Sequence, residues 1–347
     1  MESEKRGNVL IIHTGPSSFV KRDIKLLAKH YNVKAVEFPT PKASWTSPFR
    51  LLKFIFKGVK YVKWSDILIP WFSDVHAFWA MIFSRIFNKK VVIIVGGYDV
   101  ACEPEINYGM CQENMLRQFL SKLALNNADL LIPVSYNTKR ECLNWLTHGV
   151  PCIVIYHGAE IPEKSKVDRS KKVNTSPMVL TVGAVKFSNL KRKGIEIFVK
   201  ASNFLRNVKF VVVGEIMDKS IDYLKNIGGT NVIFTGFISD KELEEYYWKS
   251  RVYVQPSWHE GFGCSVAEAM LRECIPVVSR RGALSEVVGN TGIYADRENP
   301  EAVAKAIQIA LGNPKLGRKA RIRIIRMFNI QKRELRLKRA IERVISR

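Results

Sequence analysis

The segment from Gln255 to Met270 holds the densest group of residues able to bind a ligand. It follows a β-branched run typical of a strand and leads into a run typical of a helix. Gly261 and Gly263 let the backbone approach a ligand closely, and the N–H groups at the start of the following helix favour a phosphate. The segment is therefore built like a diphosphate site.

Two glutamates stand eight positions apart in this segment, Glu260 and Glu268. Glu260 lies in the loop, where a carboxylate can accept hydrogen bonds from sugar hydroxyls, and Glu268 falls one to two turns into the helix. The two carboxylates could therefore hold opposite ends of a long ligand. The spacing alone is common by chance, and its setting between Pro256-Ser257 and Ala269-Met270 makes it specific.

These residues need a scaffold, and the chain repeats short β-branched runs followed by stretches with helical periodicity. This pattern is typical of a parallel sheet with helices on both faces. The predicted strands are 9–12, 33–38, 66–72, 91–95, 129–134 and 152–156, then 178–182, 210–213, 232–235, 252–255, 276–279 and 292–295. Ligands bind beyond the carboxyl ends of such strands, so the loops there are the expected site of chemistry.

A polar, lysine-rich stretch interrupts the alternation and indicates a hinge. The sequence predicts an α/β protein with two Rossmann-like doubly wound domains facing a cleft: residues 1–160, a linker over 161–177, and residues 178–330. The remaining residues, 331–347, form a basic helix. This helix either presents a solvated face or packs back across the first domain.

The segment from Pro256 to Met270 resembles the signature of the retaining GT-B glycosyltransferases called glycosyl transferases group 1, of the Glu-x7-Glu type. The resemblance continues over nearly all of residues 178–311. Gly282–Val288 resembles the family's glycine-rich loop that ends in Glu-x-Val. Thr235–Phe237 with Asp240–Leu243 resembles the stretch whose backbone contacts the base in the family. Val182-Gly183 to Lys193-Gly194 resembles the first loop of the donor domain.

The resemblance implies a metal-independent hexosyltransferase that uses a nucleotide sugar, with UDP and GDP both open. Glu260 would contact the transferred sugar, Glu268 the ribose, and Lys193 the leaving diphosphate. The donor's own phosphate oxygen would take the acceptor proton, so that Glu260 is a positioning residue. The implied donor-binding set is completed by Gly261, Phe262, Gly263, Gly183, Lys186, Phe237 and Gly15.

Three departures from the family pattern stand out. Ala184 occupies the place of a usual arginine, whose charge Lys186 or Arg192 is expected to supply. In the first domain only Gly15 remains of a glycine-rich loop, and glycine replaces the histidine of a His-Gly-x-Asp sequence that ends at Asp99. Asp99 and His76 are candidates for contact with the sugar or acceptor. A turn-forming aspartate and an ordinary helix-start histidine are the alternatives.

The bulk composition is that of a globular protein, with 47% hydrophobic and 25% charged residues among 347. The formal charge of +23 favours an anionic partner. No nucleic-acid-binding signature occurs, so no nucleic-acid partner is expected. No Asp-x-Asp pair occurs either, so neither a metal nor another cofactor is expected. No apolar run reaches the roughly 18 to 20 residues that cross a bilayer.

The six cysteines show no metal-ligand or Cys-x-x-Cys spacing. They are predicted to be reduced core residues of a cytoplasmic protein.

The stretch 44–64 has no acidic residue and carries five basic residues on one helical stripe. It predicts either a helix in a membrane interface or a helix that covers the sheet with its lysines in water. The hypothesis is therefore an enzyme acting on a glycan or lipid-linked sugar, peripheral on the inner face of the cell membrane. The alternatives are a soluble glycan synthase, a sugar-nucleotide epimerase of the same fold, or a non-catalytic homologue.

Overall fold

The computed structural model describes residues 7–15, 17–38, 58–162 and 177–346. The chain divides into two compact units. One runs through His157 and resumes at Gln331, and the other spans Gly158–Ile330. Each unit has its own parallel sheet and its own buried core.

The first unit is built on a five-stranded parallel sheet in the order β2-β1-β3-β4-β5. Its strands are β1 (Asn8–His13), β2 (Asn32–Glu37), β3 (Ile67–Pro70), β4 (Lys90–Val95) and β5 (Leu130–Pro133). Its first helices are α1 (Ser18–Ala28), α2 (Val75–Ile86), α3 (Met115–Asn126) and α4 (Tyr136–Leu143). The strands β3 and β5 are buried at every residue, as expected where helices cover both faces of a parallel sheet.

The second unit has six parallel strands in the order β11-β10-β9-β6-β7-β8. They are β6 (Met178–Val182), β7 (Lys209–Val213), β8 (Val232–Phe234), β9 (Val252–Gln255), β10 (Ile275–Val278) and β11 (Ile293–Tyr294). The helices are α5 (Phe187–Leu190), α6 (Ile195–Ala201), α7 (Ser220–Ile227), α8 (Asp240–Lys249), α9 (Cys264–Leu271), α10 (Leu284–Val288), α11 (Pro300–Leu311) and α12 (Lys315–Met327). From β6 the chain continues to β7 and β8 on one side, and from β9 it continues to β10 and β11 on the other side. The loops after β6 and β9 therefore border the expected ligand crevice.

All six strands predicted in the second half are confirmed, and five of the six in the first half. The prediction of a strand over 152–156 is wrong. The backbone there does run beside β5, since Ile153 and Ile155 donate to the carbonyls of Leu131 and Pro133. The next bond of that ladder would need an N–H at Pro133, which has none, so the pairing stays at a single bridge.

The prediction of six reduced cysteines is wrong for Cys102 and Cys111, which form a disulfide. Both lie in the loop after β4. Glu103 and Tyr108 exchange two backbone hydrogen bonds within this loop, and the folded loop holds the two cysteine Cα atoms 5.2 Å apart. That separation is within the range a disulfide bridges. The other four cysteines form no disulfide: Cys142 and Cys274 are buried, and Cys152 and Cys264 are partly buried.

Most of the basic aromatic stretch 44–64 lies outside the described residues. In the described part, 58–64, the backbone is helical. Val62 is buried in the core of the first unit, while Lys60 and Lys63 are exposed. Across the described ranges, no helix combines the length and the apolar character that crossing a bilayer requires.

The chain ends in α13 (Ile330–Ile345), which from Gln331 onward belongs to the first unit. Arg333 is fully buried there and makes a two-bond ion pair with Asp23 of α1, at 2.6 Å for each bond. Its third nitrogen donates to the carbonyl oxygens of Ile155 and Tyr156. Glu334 accepts from Lys29 and His30 beside it. These contacts fasten the last helix to the first.

Replacing Arg333 with leucine should destabilise the first unit by about 3 to 5 kcal/mol, because Asp23 would stay buried without a partner. The double variant Arg333→Leu with Asp23→Leu should recover part of that loss. Chemical denaturation followed by tryptophan fluorescence measures both. Additive losses in the double variant would contradict a coupled buried pair.

Candidate active site

Two loops meet beyond the carboxyl ends of β6 and β9, the adjacent strands from which the chain continues toward opposite edges of the second sheet. One follows β6 and ends at Gly194, and the other follows β9 and runs through Gly263. The backbone N–H of Trp258 donates to the carbonyl of Arg192 at 2.9 Å. The side chains carried by these loops are thereby held next to one another.

Two glycines make this close approach sterically feasible. Gly194 has φ +73°, and a side chain there would lie 2.8 Å from the carbonyl oxygen of Pro256. Gly282 has φ +55°, and a side chain would lie 2.5 Å from the carbonyl oxygen of Glu260. That same oxygen accepts from the N–H of Ala283 at 2.9 Å. The backbone of Glu260 is thus fixed by the loop after β10.

The carboxylate of Glu260 is held by one of its two oxygens. Oε1 accepts from Lys193 Nζ at 2.9 Å, from Gln255 Nε2 at 2.7 Å and from Ser257 Oγ at 3.3 Å. Oε2 receives no hydrogen bond from a described residue. The side chain of Glu260 is 10% exposed and that of Lys193 is 19% exposed. The arrangement fixes the carboxylate and leaves one oxygen able to accept from a ligand.

Burial alone would raise the pKa of the Glu260 carboxyl. The positive charges of Lys193 and Arg192 outweigh burial and hold the pKa below its ordinary value. The stability gained from this pairing is therefore present above the pKa of the unfolded chain and is lost as the pH falls through the folded value. Glu260 is ionised at neutral pH and can only accept hydrogen bonds.

Sequence reasoning missed the residues that orient Glu260. Gln255 is fully buried at the end of β9, and its Oε1 accepts from Tyr253 at 2.7 Å and from Ser265 at 2.9 Å. With Oε1 occupied in this way, its amide nitrogen points at Glu260. The available signal was a glutamine that ends an otherwise apolar strand directly before the loop.

The loop after β6 carries Gly183 and the three basic residues expected near the site, Lys186, Arg192 and Lys193. Arg192 and Lys193 lie near Glu260. A side chain at Gly183 would make an ordinary van der Waals contact with the aliphatic stem of Lys193, at 3.7 Å. Arg192 donates to Asn189 Oδ1 at 2.8 Å and acts electrostatically on Glu260. Lys186 instead lies beside Asp218. Of the two candidates to replace the missing arginine, the geometry favours Arg192.

The second half of the site segment runs into α9. Gly263 is the N-cap with φ +90°, and as a glycine it has no side chain with which to cap this helix. Phe262 is buried with its ring edge-on to Phe328, which anchors the loop. Glu268 lies in the second turn, half-buried, with Tyr247 OH 3.5 Å from its Oε2. Phe237, in the loop after β8, is 81% exposed.

The remaining candidates belong to the first unit. Gly15 follows β1, and its carbonyl accepts from Ser17. Asp99 is fully buried, and its oxygens accept the N–H groups of Ser73, Gly96 and Gly97, so it acts as the turn-forming residue. Burial raises the pKa of Asp99 to about 7. His76 is also buried, bonded to the carbonyl of Trp71 at 2.6 Å, as an ordinary helix-start histidine would be.

Comparison with known proteins matches part of the chain to a family. Residues 176–313 match the family model Glycosyl transferases group 1. Residues 176–313 therefore belong to this family. The matched range contains both loops described above, with the Lys193–Glu260 pair and Glu268.

Two relatives illustrate the similarity. An uncharacterized glycosyltransferase of Methanocaldococcus jannaschii is 31% identical over 202 residues, which is 53% of this chain and 51% of that protein, so the chain spans about half its length. A GDP-mannose-dependent alpha-(1-6)-phosphatidylinositol dimannoside mannosyltransferase of Mycobacterium tuberculosis is 36% identical over 93 residues, 26% of this chain and 24% of that protein.

Solved structures show the same fold. Sucrose-phosphate synthase from Thermosynechococcus elongatus has a TM-score of 0.78 at 21% identity, over 98% of this chain and 100% of that one. HepE of Anabaena, in complex with UDP-glucose, has a TM-score of 0.75 at 17% identity, over 97% and 100% of the two chains. The chain therefore has the GT-B fold.

Replacing Lys193 with glutamine should lower the free energy of unfolding by about 2 to 3 kcal/mol at pH 7, because Glu260 keeps its charge in a largely buried place. The loss should shrink as the pH falls below the pKa of Glu260, because a protonated carboxyl needs no cation. Denaturant titrations between pH 7 and pH 3 measure it.

The matched control is Lys249→Gln, which breaks a pair with Glu245 whose side chains are 53% and 52% exposed. It should cost at most about 0.5 kcal/mol. Equal losses in the two variants, or a Lys193→Gln loss that does not change with pH, would contradict the assigned pairing.

Proposed function

We propose that this glycosyltransferase moves a hexose from a UDP- or GDP-linked sugar to a glycan or lipid-linked sugar acceptor, with retention of configuration. The observation that carries the proposal is that all the hydrogen bonds to the Glu260 carboxylate from described residues reach the same oxygen, Oε1. Three donors occupy Oε1 and none of the described residues occupies Oε2, so the ionised carboxylate is oriented and still able to accept from a sugar hydroxyl.

The other residues take roles that follow from their places. Lys193 stands beside Glu260 with a side chain that is 19% exposed, where a cation stabilises charge that grows on a leaving diphosphate. The backbone of Gly261–Gly263 and the start of α9 provide N–H groups for the sugar and diphosphate. Glu268 would accept from the ribose hydroxyls, and the exposed ring of Phe237 would lie against the base.

No metal ion or other cofactor is required in this proposal. A lysine, an arginine and a helix start supply the positive potential that a cation would otherwise bring to the diphosphate. The donor's own phosphate oxygen takes the proton of the acceptor hydroxyl. Glu260 orients the sugar and does not act as the base, since its pKa lies below its ordinary value.

The acceptor proposal rests on the first unit. At the start of α3, beyond the carboxyl end of β4, three apolar side chains on one face are exposed: Met115 at 86%, Leu116 at 65% and Phe119 at 56%. Such a group fits the lipid portion of an acceptor or the surface of the bilayer that holds it. The charge of +23 favours an anionic surface, which we place at the cytoplasmic face of the membrane.

The donor site is tested by thermal unfolding in EDTA with UDP, GDP, ADP and their sugar conjugates. One nucleotide family should raise the stability by about 2.7 kcal/mol at a hundredfold excess over its dissociation constant. Glu268→Ala should remove that shift, because the ribose loses its acceptor. The control Glu245→Ala changes an exposed glutamate of the same unit and should keep it.

No shift with any nucleotide would support the non-catalytic alternative. A shift that needs manganese would contradict metal independence, and a shift that survives Glu268→Ala would contradict the assigned donor site.

Membrane contact is tested by co-sedimentation with vesicles that contain an anionic phospholipid. Binding should be strong at about 10 mM salt and weaken at 150 mM, as screening shortens the Debye length from about 30 Å to about 8 Å. The double variant Leu116→Ser with Phe119→Ser should bind less. Phe204→Ser removes a ring of similar exposure, 51%, from the second unit and should bind like the parent.

Absence of binding at low salt would contradict the membrane proposal and leave a soluble glycan acceptor.

A further inference from the structure

A cavity of about 340 Å³ lies in the second unit, beside the loops of the active site. It is lined by residues of α6, by Trp258 and by the segment that leads into α11. Its charged lining residues are Lys191, Glu196, Lys200, Arg297 and Glu298. Lys191, Gly194 and Trp258 belong to the two loops of the active site, but the side chains of Lys193, Glu260 and Glu268 do not line this cavity.

Arg297 is the unusual group in this cavity. Its side chain is only 16% exposed, and its guanidinium stacks on the ring of Trp258 at 3.9 Å. Within the described residues it makes no hydrogen bond, and its Nε is buried without a partner. The nearest carboxylate oxygen, from Glu298, is 3.6 Å away on a side chain that is 64% exposed. A mostly buried guanidinium normally has its donors satisfied.

Other arginines of this chain show that norm. Arg333 makes four hydrogen bonds, to a carboxylate and two carbonyls. Arg272, whose side chain is 12% exposed, grips the carboxylate of Glu244 with two nitrogens. Arg323 donates to the carbonyls of Glu286 and Val287. Arg297 is as enclosed as Arg272 yet lacks the acceptor that Arg272 has.

The charges around the cavity favour an anion. Glu196 is already matched, because its Oε1 accepts from Lys200 at 2.6 Å and from Tyr223 at 2.8 Å. The charges left to act on a ligand are those of Lys191, Arg297 and the outlying Glu298. Stacking on Trp258 fixes the plane of the guanidinium, and a fixed guanidinium fork suits two oxygens of one phosphate or carboxylate.

We propose that this cavity is a second, anion-selective binding site that takes the phosphate group of a small phosphorylated molecule. Arg297 donates to two phosphate oxygens, and Lys191 neutralises the remaining charge. The ring of Trp258 forms one wall. A volume of about 340 Å³ leaves room for a hexose-sized group attached to the phosphate.

The test is a calorimetric titration with inorganic phosphate, performed with and without a saturating nucleoside diphosphate. Arg297→Gln should weaken phosphate binding about tenfold or more, through loss of charge-assisted hydrogen bonds. Arg297→Lys should be intermediate, since it keeps the charge and loses the fork. Hexose 6-phosphate should bind more tightly than phosphate if the sugar fills the cavity.

The matched control is Arg280→Gln, which removes another arginine stacked on an aromatic ring of the same unit, Tyr294 at 4.0 Å. It should bind phosphate like the parent. Circular dichroism reports whether the variants fold, and Lys191→Gln, at an exposed position, gives a second variant with a severalfold loss expected.

Equal phosphate affinity in the parent and in Arg297→Gln would overturn the proposal. So would phosphate binding that a saturating nucleoside diphosphate abolishes, because the anion would then occupy the donor's diphosphate position. Binding that depends on Arg297 in a protein that binds no nucleotide would uphold this site while the proposed transferase function fails.

Discussion

The ion pair between Lys193 and Glu260 is the constraint around which the second unit is arranged. A lysine and a glutamate in largely buried positions stabilise the fold only if their remaining donors and acceptors are matched. The residues around them meet this condition at one carboxylate oxygen: Gln255 and Ser257 also donate to Oε1 of Glu260, and Gly194 and Gly282 let three loops come close enough. The topology contributes the rest, because the chain leaves the adjacent parallel strands β6 and β9 toward opposite edges of the sheet, and a crevice opens between the two loops.

Much of the second unit could be predicted from the sequence. Its strands are short runs of β-branched residues between polar segments, and that pattern is local. The pairing of Lys193 with Glu260 was within reach, because both follow strands whose ends meet. The role of Gln255 was not, because it depends on which side chains face one another across β9 and α9. Local patterns do not contain that information.

The first unit was less predictable for the same physical reason. Asp99 lies in the loop after β4 and His76 in the first turn of the helix that follows β3, and ligand-binding residues are common at such positions. The structure turns both inward to satisfy backbone groups, which a sequence pattern does not distinguish from facing a ligand. The disulfide of Cys102 and Cys111 depends on how one loop folds back on itself. Pro133 shows the opposite case, where a single residue explains why a strand is missing.

The second unit is bounded by two chain segments that lie side by side. Ala159 and Asn329 form a parallel bridge, and Gly158 packs against the backbone of Ile330. In topological terms, residues 158–330 are an insertion into the first unit, with neighbouring ends. Because its two ends are neighbours, such an insertion can be replaced as a whole by another domain without lengthening the two connections to the first unit. Replacement of the second unit as a whole is thus compatible with an unchanged course of the chain in the first unit.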